Sequence, residues 1–107
     1  MTDTPPPRHT DCAVCGTLHD HEYAMQKHGW EADDTSLPDA VGRLMTVRDL
    51  KPNSSRQLTV ERCPACGTYY LYQTDYEYLA GGSEDEQRLT RLSDAAAEEY
   101  LNAPIQN

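Results

Sequence analysis

The sequence predicts a small α+β domain, made of β-hairpins that are held by cysteines more than by an apolar core and followed by a helical C-terminus. Three observations predict it. The chain has 107 residues, no Phe and 37% hydrophobic residues, enough for one domain with a thin core. Its four cysteines fall into two close pairs, Cys12 with Cys15 and Cys63 with Cys66. A stretch of period-two alternation surrounds the second pair, and a strongly helix-favouring stretch ends the chain.

Residues 1–10 are polar and include Pro5, Pro6 and Pro7. Proline lacks the N–H that a helix or sheet needs, so this segment is expected to be a flexible lead-in, with residues 11–107 as the single domain. Cys12-Ala13-Val14-Cys15-Gly16 has the form of a tight metal-binding turn. From Leu18 to Trp30 no period is clean: Glu22 to Lys27 suits a short helix or a strand, and Gly29 ends either. Residues 31–36 and 51–55, rich in Asp, Ser, Asn and Pro, suit loops. Between them Val41, Leu44, Val47 and Leu50 recur every three residues, a weak helical period; a strand through Leu44 to Val47 is the alternative.

The second half is more legible. Gln57 to Arg62 alternates polar and apolar side chains as a half-buried strand does. After Cys63-Pro64-Ala65-Cys66-Gly67, residues Tyr70, Tyr72, Thr74, Tyr76 and Tyr78 share one strand face, with Gln73, Asp75 and Glu77 on the other. The expected unit is a hairpin whose turn is the cysteine knuckle. Gly81-Gly82 stops its second strand. Ser83-Glu84-Asp85-Glu86 then fits a capping box with Ser83 as N-cap, and Leu89 and Leu92 would face the core of a helix. Ser93-Asp94 offers a second cap, so one helix or two short ones are expected, with Ala95 to Leu101 helical and Pro104 ending it.

Each knuckle reads Cys-x-x-Cys-Gly. Two intervening residues let both thiolates reach one ion, and the following glycine can take a positive φ. One pair supplies half of a tetrahedral shell, and two pairs complete it, so Cys12, Cys15, Cys63 and Cys66 are the expected ligands of one zinc ion. Four protein ligands close the shell, which is the pattern of a structural site rather than a catalytic one.

With these two motifs the chain resembles the zinc ribbon group, in which two cysteine knuckles at the tips of β-hairpins close on one zinc. The resemblance covers about a third of the chain. It implies a zinc ribbon-like fold with a long insertion, because 47 residues separate Cys15 from Cys63, against roughly 15–20 in the compact pattern.

The formal charge is −9, from 9 Lys+Arg against 18 Asp+Glu. Nucleic-acid binders draw most of their affinity from basic surface, so this balance argues against DNA, RNA and anionic membranes and for a basic protein partner. Arg43, Arg48, Lys51, Arg56 and Arg62 could still form a local basic patch. No stretch is long and apolar enough to span a bilayer, and the N-terminus has no secretory pattern, so the expected compartment is the cytoplasm.

His19 and His21 follow the first knuckle, and a mixed site with Cys12 and Cys15 is the minor alternative; His9 and His28 are unplaced. No Ser-His-Asp set or phosphate-binding glycine loop is visible. The tyrosine ladder suits a core that lacks Phe, or an interface. Taken together, the expected function is a non-catalytic interaction module that binds another, basic protein, as an inhibitor, an immunity-type protein or an accessory subunit. A nucleic-acid-binding zinc ribbon and a dithiol redox protein are the alternatives.

Overall fold

The computed structural model describes residues 9–27, 37–54, 56–79 and 82–105, without the side chains of 26, 27, 76–79 and 82–84. Five strands form one antiparallel sheet: β1 (His21–Lys27), β2 (Met45–Asp49), β3 (Leu58–Arg62), β4 (Tyr69–Leu79) and β5 (Gly82–Leu92). Their order across the sheet is β1-β5-β4-β3-β2. A single α-helix, α1 (Asp94–Asn102), follows β5. Short 3₁₀ turns occupy Cys15–Thr17 and Asp39–Arg43.

Strand β5 corrects the expected helix at Ser83. Its capping-box residues extend along β4 and β1 instead, with Glu86 opposite Asp75 on one side and Met25 on the other. The physical reason is pairing on both edges: β5 is an inner strand, so its backbone groups find partners that a surface helix could not offer β4. Leu89 and Leu92, three apart, would share a helix face. On a strand they point to opposite faces, and each enters a different core cluster. β4 ends at Leu79, which pairs with Gly82, the first residue of β5; Gly81 lies outside the described residues.

The second expected cap is where the helix begins. The Ser93 side chain accepts the Ala96 N–H at 3.1 Å, and α1 runs on to Asn102, just before Ala103 and Pro104. One helix therefore follows the sheet, not two. The period-three residues 41–50 divide among elements. Val41 lies in a 3₁₀ turn, Val47 sits at a register shift in β2, and Leu50 is buried under α1. Of the two options for 22–27, the strand is the one formed.

The sheet is covered on both faces. Leu58, Val60, Leu71 and Leu92 meet Leu50 and Ala97, with Tyr100 and Leu101 of α1 packed against them. Tyr70 and Leu89 meet Val14, Cys15, Leu18 and Cys63 on the other face, with Val41, Leu44 and Tyr72 alongside. The Arg48 guanidinium ties the edge strand β2 to α1 by donating to the carbonyls of Tyr100, Leu101 and Ala103 at the helix C-terminus, where a cation is favoured. Residues 1–8, 28–36 and 106–107 lie outside the described residues, and with them most of the proline-rich lead-in, His28 and Gly29. No helix among the described residues is long and apolar enough to cross a membrane.

Candidate metal centre

The two knuckles are built differently. Residues 63–68 are the turn between β3 and β4, closed by Cys63 N–H to the Thr68 carbonyl at 2.9 Å. The first knuckle is not at a hairpin tip. It is a run of turns before β1, begun by Cys12 N–H donating to the His9 carbonyl at 3.2 Å. Yet both share one bond: the glycine N–H donates to the carbonyl of the first cysteine, Gly16 to Cys12 at 2.7 Å and Gly67 to Cys63 at 2.8 Å.

The glycines themselves serve different ends. Gly67 has φ +80°, the left-handed conformation expected of it. Gly16 does not. A Cβ there would stand 3.3 Å from the Thr10 carbonyl oxygen, so at Gly16 the requirement is close approach of the lead-in backbone.

These turns bring together all four predicted cysteines. Their sulfurs lie within 4.8 Å of one another, and every thiol is free. The close pairs join one knuckle to the other: Cys12 to Cys63 at 3.7 Å and Cys15 to Cys66 at 3.5 Å. Sulfurs about 2.3 Å from one zinc at tetrahedral angles stand about 3.8 Å apart, whereas a disulfide needs about 2.05 Å. The set therefore has the spacing of a metal shell and could hold one ion. Cys15 and Cys63 are fully buried, Cys12 and Cys66 half-buried.

The protonation chemistry fits the same purpose. Burial pushes the Cys15 thiol well above its usual range, although the Tyr70 hydroxyl beside it acts the other way. At Cys66 burial also raises the thiol, but the Thr68 hydroxyl 3.1 Å away, the Thr68 N–H and the neighbouring sulfurs outweigh it and bring it down to about 7. Burial thus holds the proton on Cys15, whereas the Thr68 bonds ease it off Cys66. A divalent cation removes that difference by making every thiolate a ligand.

Arg91 and Tyr70 support the centre, and sequence reasoning did not single out that arrangement. They face each other in the β4–β5 register, and both are largely buried. The Arg91 Nε–H donates to the Tyr70 hydroxyl at 3.3 Å, and its Nη2 donates to the carbonyls of Leu18 at 2.6 Å and Cys15 at 3.2 Å. Its Nη1 pairs with Asp20. One guanidinium thus pins the first knuckle to the sheet. Burial would weaken its charge, but Tyr70 and Asp20 more than restore it.

His19 and His21 lie outside the sulfur cluster. The His19 ring meets Glu22 at 2.9 Å, and the His21 ring meets the Thr90 hydroxyl at 3.1 Å. Burial would raise the Glu22 carboxyl, yet the His19 N–H and ring, with Arg91, hold it below the usual carboxylate range. The cations 43–62 do not all gather into one patch: Lys51 and Arg56 line one cleft with Arg88, where Arg56 pairs with Asp75 at 3.0 Å, whereas Arg48 caps α1 and Arg62 lies over the Tyr69 ring. Of the tyrosine ladder, Tyr70 is core and Tyr72 half-buried; the side chains of Tyr76 and Tyr78 lie outside the described set.

Comparison with protein-family models, with curated proteins and with solved structures gives no match to this chain.

Proposed function

We propose that this chain is a zinc-stapled, non-catalytic interaction module of zinc ribbon-like construction, working in a reducing compartment such as the cytoplasm and binding a basic protein partner. The observation that carries the reading is the sulfur set. Four ligands from the chain itself leave no coordination position for a substrate, so the ion's role is to hold the scaffold. Free thiols at metal spacing also favour zinc over a dithiol redox role, because all four sulfurs converge on one point, with contacts of 3.5 and 3.7 Å that join the two knuckles.

Charge supports the partner class. Beyond the five-stranded part of the sheet, β1, β5 and β4 continue as an arm in which Asp75 stands opposite Glu86, and Glu77 opposite Glu84. Arg56 and Arg88 offset Asp75 and Glu86 from within, and a basic partner would find the remaining carboxylates of a chain whose net charge is −9. The dispersal of Arg48, Arg56 and Arg62 into internal contacts speaks for this class over nucleic acid.

Native mass spectrometry under reducing conditions tests the staple: one zinc per chain is expected, and a folded, metal-free chain would sink the reading. Immobilised zinc-loaded protein tests the partner class. Retained proteins should be basic and should elute as salt rises; capture that is indifferent to salt counts against it.

A further inference from the structure

On the cysteine face, a cleft of about 410 Å³ lies between the turn at 37–42 and the sheet. Leu37, Pro38 and Val41 form one wall, and Tyr72 and Gln87 belong to the sheet side. Two carboxylate residues, Asp39 and Glu61, also line it, and among the described residues no Lys, Arg or His does. Glu61 is only half provided for. Its Oε1 accepts from the Thr46 hydroxyl at 3.0 Å and from the Thr59 hydroxyl at 3.3 Å. Its Oε2 is shut away from solvent and meets no donor. A buried carboxylate oxygen without a donor is costly, and natural structures rarely leave one so. The carboxylate torsion is soft and two-fold, so either oxygen can turn to a cation that enters the cleft.

We infer that this cleft receives an arginine side chain of the basic partner, with its guanidinium on Glu61 and its flat face against Tyr72. The inference rests on the interaction-module reading and names where that partner is gripped. Arginine suits the lining better than lysine does. Its planar fork matches a carboxylate, it stacks on aromatic rings, and its aliphatic stem can lie along Pro38 and Val41. The protein makes the same pairing internally: Arg62 lies over Tyr69, Arg88 over Tyr23 and Arg91 over Tyr70, each 5.6–5.8 Å from the ring centre. The Gln87 amide, donating to the Tyr72 hydroxyl at 2.9 Å, fixes the tip of the tyrosine that would do so in the cleft. Val41 and Tyr72 also pack on the cluster that contains Cys15 and Cys63, which makes the cleft a product of the cysteine-held fold.

The test titrates the full-length, zinc-loaded chain with a hexa-arginine amide at low salt, followed by amide shifts and calorimetry. Shifts should centre on Val41, Glu61, Tyr72 and Gln87, and hexa-lysine should bind more weakly. Glu61→Gln should weaken hexa-arginine about tenfold or more. Glu98→Gln removes the same charge from exposed α1 and should change binding within about twofold. If Glu61→Gln loses its fold, Val41→Lys serves in its place: an internal ammonium in the cleft should abolish binding. Equal effects of the two glutamate variants, or shifts confined to the acidic arm, overturn the cleft while leaving the interaction module standing. Hexa-lysine binding as tightly as hexa-arginine overturns the guanidinium assignment. Absence of any binding to the folded chain overturns both the cleft and the module.

Discussion

On one face of the sheet, Leu58, Val60, Leu71 and Leu92 are covered by Leu50 and by α1 through Ala97, Tyr100 and Leu101. On the other face, Tyr70 and Leu89 are covered by Val14, Leu18 and two of the four cysteines. The first face is closed chiefly by aliphatic and aromatic carbon, which needs matched volume, with Arg48 fastening β2 to the end of α1. The second is closed by turns, which contribute Val14, Leu18, Val41 and Leu44 beside the cysteines. They bring the four cysteines together, and Arg91 fastens them through the Cys15 and Leu18 carbonyls and the Asp20 carboxylate. A chain with no Phe thus completes a two-sided core, with carbon packing on one side and four cysteines at ligand distance on the other.

Disabling the second face should have the largest effect. Cys63→Ser, or a chelator, should remove the cooperative unfolding transition seen by circular dichroism. A structural zinc contributes on the order of 10 kcal/mol, comparable to the whole stability of a small domain. A melting curve unchanged by chelator would break the comparison.

The carbon-packed face should respond differently. Leu92→Ala should cost about 3 kcal/mol in denaturant unfolding yet leave one metal per chain, because its neighbours lie across the sheet from the sulfurs. Loss of metal in that variant would show that the two faces are not separable.

Arg91→Ala sharpens the contrast further. It should cost about 2 kcal/mol and weaken zinc about 10–100-fold in chelator competition, since it removes a hydrogen bond to the Cys15 backbone while leaving all four sulfurs in place. The smallest effect separates the two knuckles. Gly67→Ala should cost about 1 kcal/mol because φ is left-handed there. Gly16→Ala should cost less in the same melts, because its methyl meets only a lead-in carbonyl that can shift by a few tenths of an ångström.

Local signals account for what could be read early. The Cys-x-x-Cys-Gly spacing names the ligand set, the alternation of Gln57 to Arg62 names β3, and Ser93 with Pro104 brackets α1. The misreading of β5 has a specific cause. Ser83, Glu86, Leu89 and Leu92 satisfy both a cap and a helical spacing, so local preference favours a helix, while the competing strand depends on β1 and β4, which lie far away in sequence. Because Arg91 meets Tyr70 only in the β4–β5 register, the arginine that supports the sulfurs was hidden with it.

By itself, then, the sequence determined which four sulfurs converge, where the helix stops, and the net charge of the chain. Each follows from groups a few residues apart, or from simple counting. The tertiary structure alone decided that β5 is an inner strand, that the first knuckle is pinned by Arg91, and that a cleft opens beside Glu61. These depend on hydrogen bonds and burial between segments tens of residues apart, whose free energy appears only once the whole sheet is assembled.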